Sequence, residues 1–365
     1  MKKTKTTSKR KEQNPIWIIS GIKMGILLFF ILMGFLGIQA QPVGPVEIST
    51  AGGYGEKKMK SAPRKVYISE FRVMYQLMYH QEDEDKGGRT LGGGLRGKAT
   101  ASVTLGIKGV DVPDLKEVTN KLYQEYSQKV KQQGFELVSA EEAAKTKTLE
   151  DWELKNGGDV NEAQFKGYLM TTPENYQYLV KRTSADGKEK KGFMDISGKL
   201  SKDLGGAIVA KVNLVVPMVE DAESGGSKML KGAAPGVAKV VLRPNLRLTN
   251  EAMLSSTFST DLTTTSARYF YMKSLGEQGI CITSLKKPVE IAGVLPDKKY
   301  KATAVANTDV WGKDAGYFTV FSVNDEMIAN MQAIECDRDQ YVQGVTEASE
   351  KFLNSSLDEL FSNTK

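Results

Sequence analysis

Few residues in this chain are of types that do chemistry, and their spacing limits which chemistry is open to them. His80 is the only histidine, and it lies near Tyr75 and Tyr79. A Ser/His/Asp relay therefore has one candidate base, with no Gly-x-Ser-x-Gly elbow to hold a nucleophile against it. A lone histidine among tyrosines reads as a packing or surface residue. There are two cysteines, Cys281 and Cys336, and no Cys-x-x-Cys pair to begin a zinc site. An oxidising compartment would allow Cys281 and Cys336 to form a disulfide; two separate buried thiols are the alternative. The run Glu82-Asp83-Glu84-Asp85 offers oxygen ligands for a hard cation. It lacks the glycine and spacing of a calcium loop, so it reads as a solvated stretch. Gly92-Gly93-Gly94-Leu95-Arg96-Gly97 matches the Gly-x-Gly-x-x-Gly pattern. A dinucleotide loop must run from a strand into a helix. Here ATASVTLGI follows and is strand-like, so a flexible hairpin tip is expected. The sequence assigns no catalytic residue, no metal ligand and no cofactor.

The elements that would position these residues are clearer. Val66–Val73 is rich in β-formers and reads as a strand, as does 99–107, with Val103, Leu105 and Ile107 on one face. Pro113 and Asp114 open a helix whose apolar positions Leu115, Val118, Leu122, Tyr126 and Val130 have helical spacing, and Gly134 ends it. Phe135–Val138 is a short strand, and Ser139 starts a capped helix through SAEE. Ile196–Leu204 reads as a helix, and Ala207–Val219 as a strand whose expected hairpin partner is Val237–Leu248. Short strands follow near Tyr269, Ile282, Val289, Ala302 and Phe318. A last helix over about 338–361 carries the stripe Tyr341, Val345, Ala348, Phe352, Leu353, Leu357 and Leu360, with Glu350 on its opposite side. The aromatic groups Tyr168, Tyr176, Tyr178 and Tyr269-Phe270-Tyr271 read as sheet and core packing. The expected class is α/β (α+β): a mixed sheet flanked by helices, with a β-rich C-terminal extension and a terminal helix packed back on the sheet.

The amino terminus sets the compartment. Lys2, Lys3, Lys5, Lys9, Arg10 and Lys11 precede an uncharged run from Met24 to Ala40, which closes on Ile38-Gln39-Ala40. A basic start, a short apolar core and a small residue at the exit mark a secretory signal peptide, cleaved between Ala40 and Gln41. A retained membrane anchor is the alternative. Residues 1–40 hold seven bases and one acid, which accounts for the whole +6 of the chain. The remainder is neutral, so it has no general field to attract nucleic acid. Residues 41–63, rich in Gly, Pro, Ser and Lys, read as a disordered leader, 64–250 as the α/β domain and 251–365 as the extension.

The order strand (65–73), helix (113–133) and then GFELVSAEEAAK (134–145) resembles the α/β domain shared by the curli secretion-channel family and the amino-terminal domain of the Tol-system periplasmic protein. In that family a Gly-aromatic-x-Val-Val strand leads directly into a helix. The stretch GKLSKDLGGAIVAKVNLVV (198–216) resembles its later helix, glycine turn and strand, with Gly206 where an acid often stands. The resemblance implies a periplasmic or outer-membrane-associated protein that binds other envelope proteins, itself included. With no catalytic constellation present, the expected function is non-catalytic: binding or scaffolding in the cell envelope. Two alternatives are a subunit of an outer-membrane assembly or secretion channel that inserts β-hairpins, and a hydrolase with an unrecognised carboxylate site. N-terminal sequencing of the protein from its native envelope should return Gln41-Pro42-Val43; recovery of a chain still carrying Met24–Leu36 would show an anchor instead.

Overall fold

The computed structural model of the chain describes residues 43–51, 56–85, 88–89, 95–96, 99–192, 194–222, 238–254, 262–302 and 331–365. The signal segment with Ala40 and Gln41, the glycines of the Gly92–Gly97 loop and the strand expected near Phe318 lie outside these residues. The principal strands are Ile48–Ala51 (β1), Lys65–Gln76 (β2), Met78–Asp85 (β3), Ala99–Lys108 (β4), Glu136–Leu137 (β5), Val160–Asn161 (β6), Tyr168–Thr171 (β7), Ile208–Val216 (β8), Ser266–Ser274 (β9), Glu277–Leu285 (β10) and Met331–Glu335 (β11). The α-helices are Val112–Gln132 (α1), Ala140–Ala144 (α2), Ser197–Asp203 (α3) and Arg338–Asn363 (α4).

The main sheet runs β1-β10-β9-β8-β2-β7-β6, with β5 pairing the start of β2. β8 lies parallel to β2 and antiparallel to β9, so the sheet is mixed. A second sheet, β11-β4-β3, continues from the end of β2. The fold class read from the sequence is the one observed. The apolar face of β4 is taken up by the protein's own core: Val103, Leu105 and Ile107 are all buried. Among the described residues no helix is long and apolar enough to cross a membrane.

A one-residue irregularity sits where β2 meets β8. Ile68 pairs with Ala210 and Glu70 with Lys211, which leaves Ser69 as an extra residue on β2. Val66 and Ile68 pack into the main core before this bulge, and Phe71, Val73 and Tyr75 after it. Side chains alternate strictly along a strand, so an unbulged β2 would turn Glu70 and Arg72 into that core.

Helices α1 and α4 supply the cover on the core face. Asp111 caps α1 by accepting from the Asp114 amide at 3.2 Å, and Asp114 accepts from the Asp111 amide at 3.0 Å in return. Gly134, at φ +80°, ends the turn that follows the helix in a conformation glycine adopts freely. All seven stripe positions of α4 are buried, as are the five of α1. A polar chain threads this dry interface. The Tyr126 hydroxyl donates to Tyr269 Oη at 3.2 Å, and Ser356 Oγ lies 2.9 Å from Tyr269 Oη and 2.6 Å from Thr283 Oγ1.

Four expectations change. The leader is ordered over much of its length: β1 pairs with β10 at the sheet edge, and Met59 is fully buried. Residues 266–285 are no extension, because β9 and β10 extend the main sheet directly from β8. The hairpin partner of 207–219 is only local: Val219–Asp221 pairs with Val241–Pro244, while β8 itself lies between β2 and β9. Glu350 does not face solvent, since its Oε1 meets Lys121 Nζ of α1 at 3.1 Å. Leu357→Ala should lower stability by about 2–5 kcal/mol, whereas Leu275→Ala, 90% exposed at the β9–β10 turn, should change it by less than about 0.5 kcal/mol; urea denaturation of both checks the docking of α4.

Candidate functional site

The face of the sheet away from α1 and α4 carries charge. Beyond the bulge, Glu70 and Arg72 of β2 point to it, together with Lys211 and Asn213 of β8 and Arg268 of β9. Lys211 and Arg268 are directly opposed in the β8–β9 register, and Asn213 is opposed to Ser266. The segment between Lys181 and Ser197 crosses this face and adds Glu189, Lys191 and Asp195. Between sheet and segment lies a cleft of about 200 Å³, walled on its apolar side by Tyr67, Leu149, Trp152 and Leu179.

The charges are paired in a definite order. Glu70 Oε1 meets Lys191 Nζ at 2.9 Å and Arg72 Nε at 3.6 Å. The other end of Arg72 meets Glu189 Oε2 at 2.9 Å, and Tyr178 donates its hydroxyl to Glu189 Oε1 at 2.7 Å. Arg72 also lies over the Tyr178 ring, which stacks on Tyr176. Glu70, Arg72 and Glu189 are each at most 6% exposed at the side chain, so these ions are desolvated and depend on one another. Lys211 Nζ meets Asp195 Oδ1 at 2.9 Å, and that oxygen also accepts from the Ser197 amide and hydroxyl. Arg268 has no carboxylate among the described residues. Its Nε is buried without an acceptor, and Asn213 Oδ1 is buried without a donor.

Proton chemistry is poorly served by this arrangement. Burial alone would raise the Glu70 carboxyl, but Lys191, Arg72 and Lys211 outweigh it and hold the group down at about 2. Burial also opposes ionisation of Asp195, and Lys211 and Ser197 hold it below the usual carboxylate range. Glycoside-type hydrolysis with paired carboxylates needs one of them protonated near neutrality. Both of these stay ionised.

None of the residues singled out in the sequence for chemistry lines this cleft. His80 sits on β3 with Nδ1 2.8 Å from Thr104 Oγ1. Glu82–Asp85 extends β3 as a strand, and among the described residues no acidic or histidine cluster is placed to hold a metal. The element that follows the glycine-rich loop in the chain is β4, a strand, where a dinucleotide loop leads into a helix. The expected Cys281–Cys336 disulfide is not formed, and both residues are thiols. Cys336 stands two residues before α4, while Cys281 lies against its far end, with Asn363 Nδ2 3.9 Å from its sulfur. The 26-residue helix between them is about 39 Å long, and bridging needs Cα atoms within about 7 Å. Burial pushes the Cys336 thiol up to about 12, with Asp337 and Glu335 adding to it, which makes it unreactive. Comparison with known proteins adds no relative: no family model, curated protein or solved structure matches the chain.

The cleft residues escaped motif reading because they form no motif. Their signal is charge interrupting apolar strands, at Glu70, Arg72, Lys211 and Arg268. Glu70 contributes stability in full above the ordinary value of 4.5 and loses it as pH falls toward about 2. Glu70→Gln should therefore cost roughly 3 kcal/mol at pH 7. Chemical denaturation at both pH values should show the gap between parent and variant narrowing from pH 7 to pH 3.

Proposed function

We propose that this chain is an exported, non-catalytic protein of the cell envelope that binds other envelope proteins, using the charged cleft on the face of its main sheet away from α1 and α4. The observation that carries this reading is the charge arrangement. Among the described residues every acid of the cleft is neutralised by a neighbouring cation, and one cation, Arg268, pairs with no carboxylate. Sites of proton transfer need a group poised between its two protonation states near the working pH. Binding sites need fixed charge and an apolar wall, which Trp152, Leu149 and Leu179 provide. The amino-terminal signal pattern and the resemblance to periplasmic envelope domains support the compartment.

Met194, 65% exposed, sits at the edge of the cleft, whereas Leu275 lies at the β9–β10 turn and does not line it. A photocrosslinking residue placed at each position in turn, followed by envelope fractionation, tests the proposal. Discrete adducts with envelope proteins at position 194, and none at 275, are expected. A chain recovered without adducts at 194, or found in the cytoplasmic fraction, would count against it.

A further inference from the structure

Deepening the envelope-binding reading and resting on it, we infer that the Arg268–Asn213 corner of the cleft receives a carboxylate carried on a peptide chain, with an apolar side chain of the same peptide lying against Trp152. Two unmet hydrogen-bonding demands point there. Arg268 Nε is a buried donor with no acceptor, and Asn213 Oδ1 is a buried acceptor with no donor. They occupy diagonal positions on one face of adjacent antiparallel strands, close enough for one small ligand to meet both. A peptide bearing a carboxylate beside an amide N–H supplies the missing acceptor and the missing donor together. The Nε side of a guanidinium presents two parallel donors, which suits a carboxylate in a bidentate approach.

Charge selects the same ligand. Lys211 and Arg268 are directly opposed like charges, a destabilising pair unless anions cover it. Asp195 answers Lys211 alone. With Arg72 charge-paired to Glu70 and Glu189, and Lys191 to Glu70, the cleft is short by one negative charge among the described residues. A carboxylate supplies one. A phosphate monoester brings between about 1.5 and 2 at neutral pH, which would set surplus charge against Glu70 and Asp195. The apolar wall of Leu149, Trp152 and Leu179 then favours a carboxylate with a hydrophobic neighbour over a bare ion.

Calorimetric titration of the full-length chain tests this with four probes: N-acetyl-Leu-Leu as the free acid, the same peptide as its amide, N-acetyl-Leu-Asp-Leu-amide, and inorganic phosphate. Saturable binding of either carboxylate peptide, with no binding of the dileucine amide, is the expected result. Binding of the free acid alone would identify a chain end as the ligand, and binding of the Asp peptide alone a side chain. Arg268→Gln should weaken the interaction about tenfold or more. Asn213→Ala, which removes no charge from the sheet, should weaken it less and provides the test if Arg268→Gln fails to fold. Failure of both carboxylate peptides, equal binding of the amide, preference for phosphate, or indifference to both substitutions would overturn the inference. If the peptides fail while the position-194 adducts persist, the inference falls and the envelope-binding reading stands. If the adducts are missing as well, both fall.

Discussion

The architecture depends on one extra residue in one strand. Ser69, looped into β2 against β8, reverses which side chains face which way from that point on. Upstream and downstream of it, the same face of the strand meets α1 and α4 with Val66, Ile68, Phe71, Val73 and Tyr75. The opposite face is thereby free to carry Glu70 and Arg72. Ions of this kind cost several kcal/mol each to desolvate and are tolerated only where partners stand ready. The bulge delivers them to the side where Lys191, Glu189 and Lys211 are available. The serine itself is held in place, since its hydroxyl donates to the Ala210 carbonyl at 3.1 Å.

The two faces of the sheet thus solve opposite problems. On the helix face, burial is mainly apolar, and the hydroxyls of Tyr126, Tyr269, Ser356 and Thr283 are linked in one hydrogen-bonded chain. On the other face, partners for the charged residues are recruited from the crossing segment between Lys181 and Ser197, which lies outside the main sheet. Among the described residues each acid there is paired with a base, and each base but Arg268 with an acid. An arrangement so tied up holds its geometry in advance, which on the proposed reading lowers the ordering cost of binding.

Much of this was readable from the sequence, for reasons that differ by element. α1 and α4 announced themselves because each carries an unbroken apolar stripe at helical spacing. β2 and β4 were readable as strands, and even the bulge left a trace: the apolar phase of β2 runs 66, 68 and then 71, 73, 75. What periodicity could not supply was pairing. Nothing in 266–285 says that it lies beside β8, because an antiparallel neighbour and a separate hairpin have the same alternation. The order of 43–51 was hidden for a related reason, since its ladder partner β10 lies more than two hundred positions downstream. The cleft was invisible because it draws a few scattered residues each from β2, β8, β9 and a connecting segment. The disulfide expectation rested on cysteine count and compartment alone, and the length of α4 overrides both.

The contacts that lock the terminal helix reach far along the chain. Arg338 grips Asp114 across 224 positions, and Lys129 meets Asn354 across 225. Where β2 meets β8, the Ser69 hydroxyl reaches the Ala210 carbonyl across 141 positions. Loop-closure entropy must be met before such contacts repay it, so chains of this kind fold slowly. Little of the core can form until nearly the whole polypeptide is available to itself. If the chain is exported, as proposed above, that delay works in its favour, because no premature domain has to be unravelled on the way.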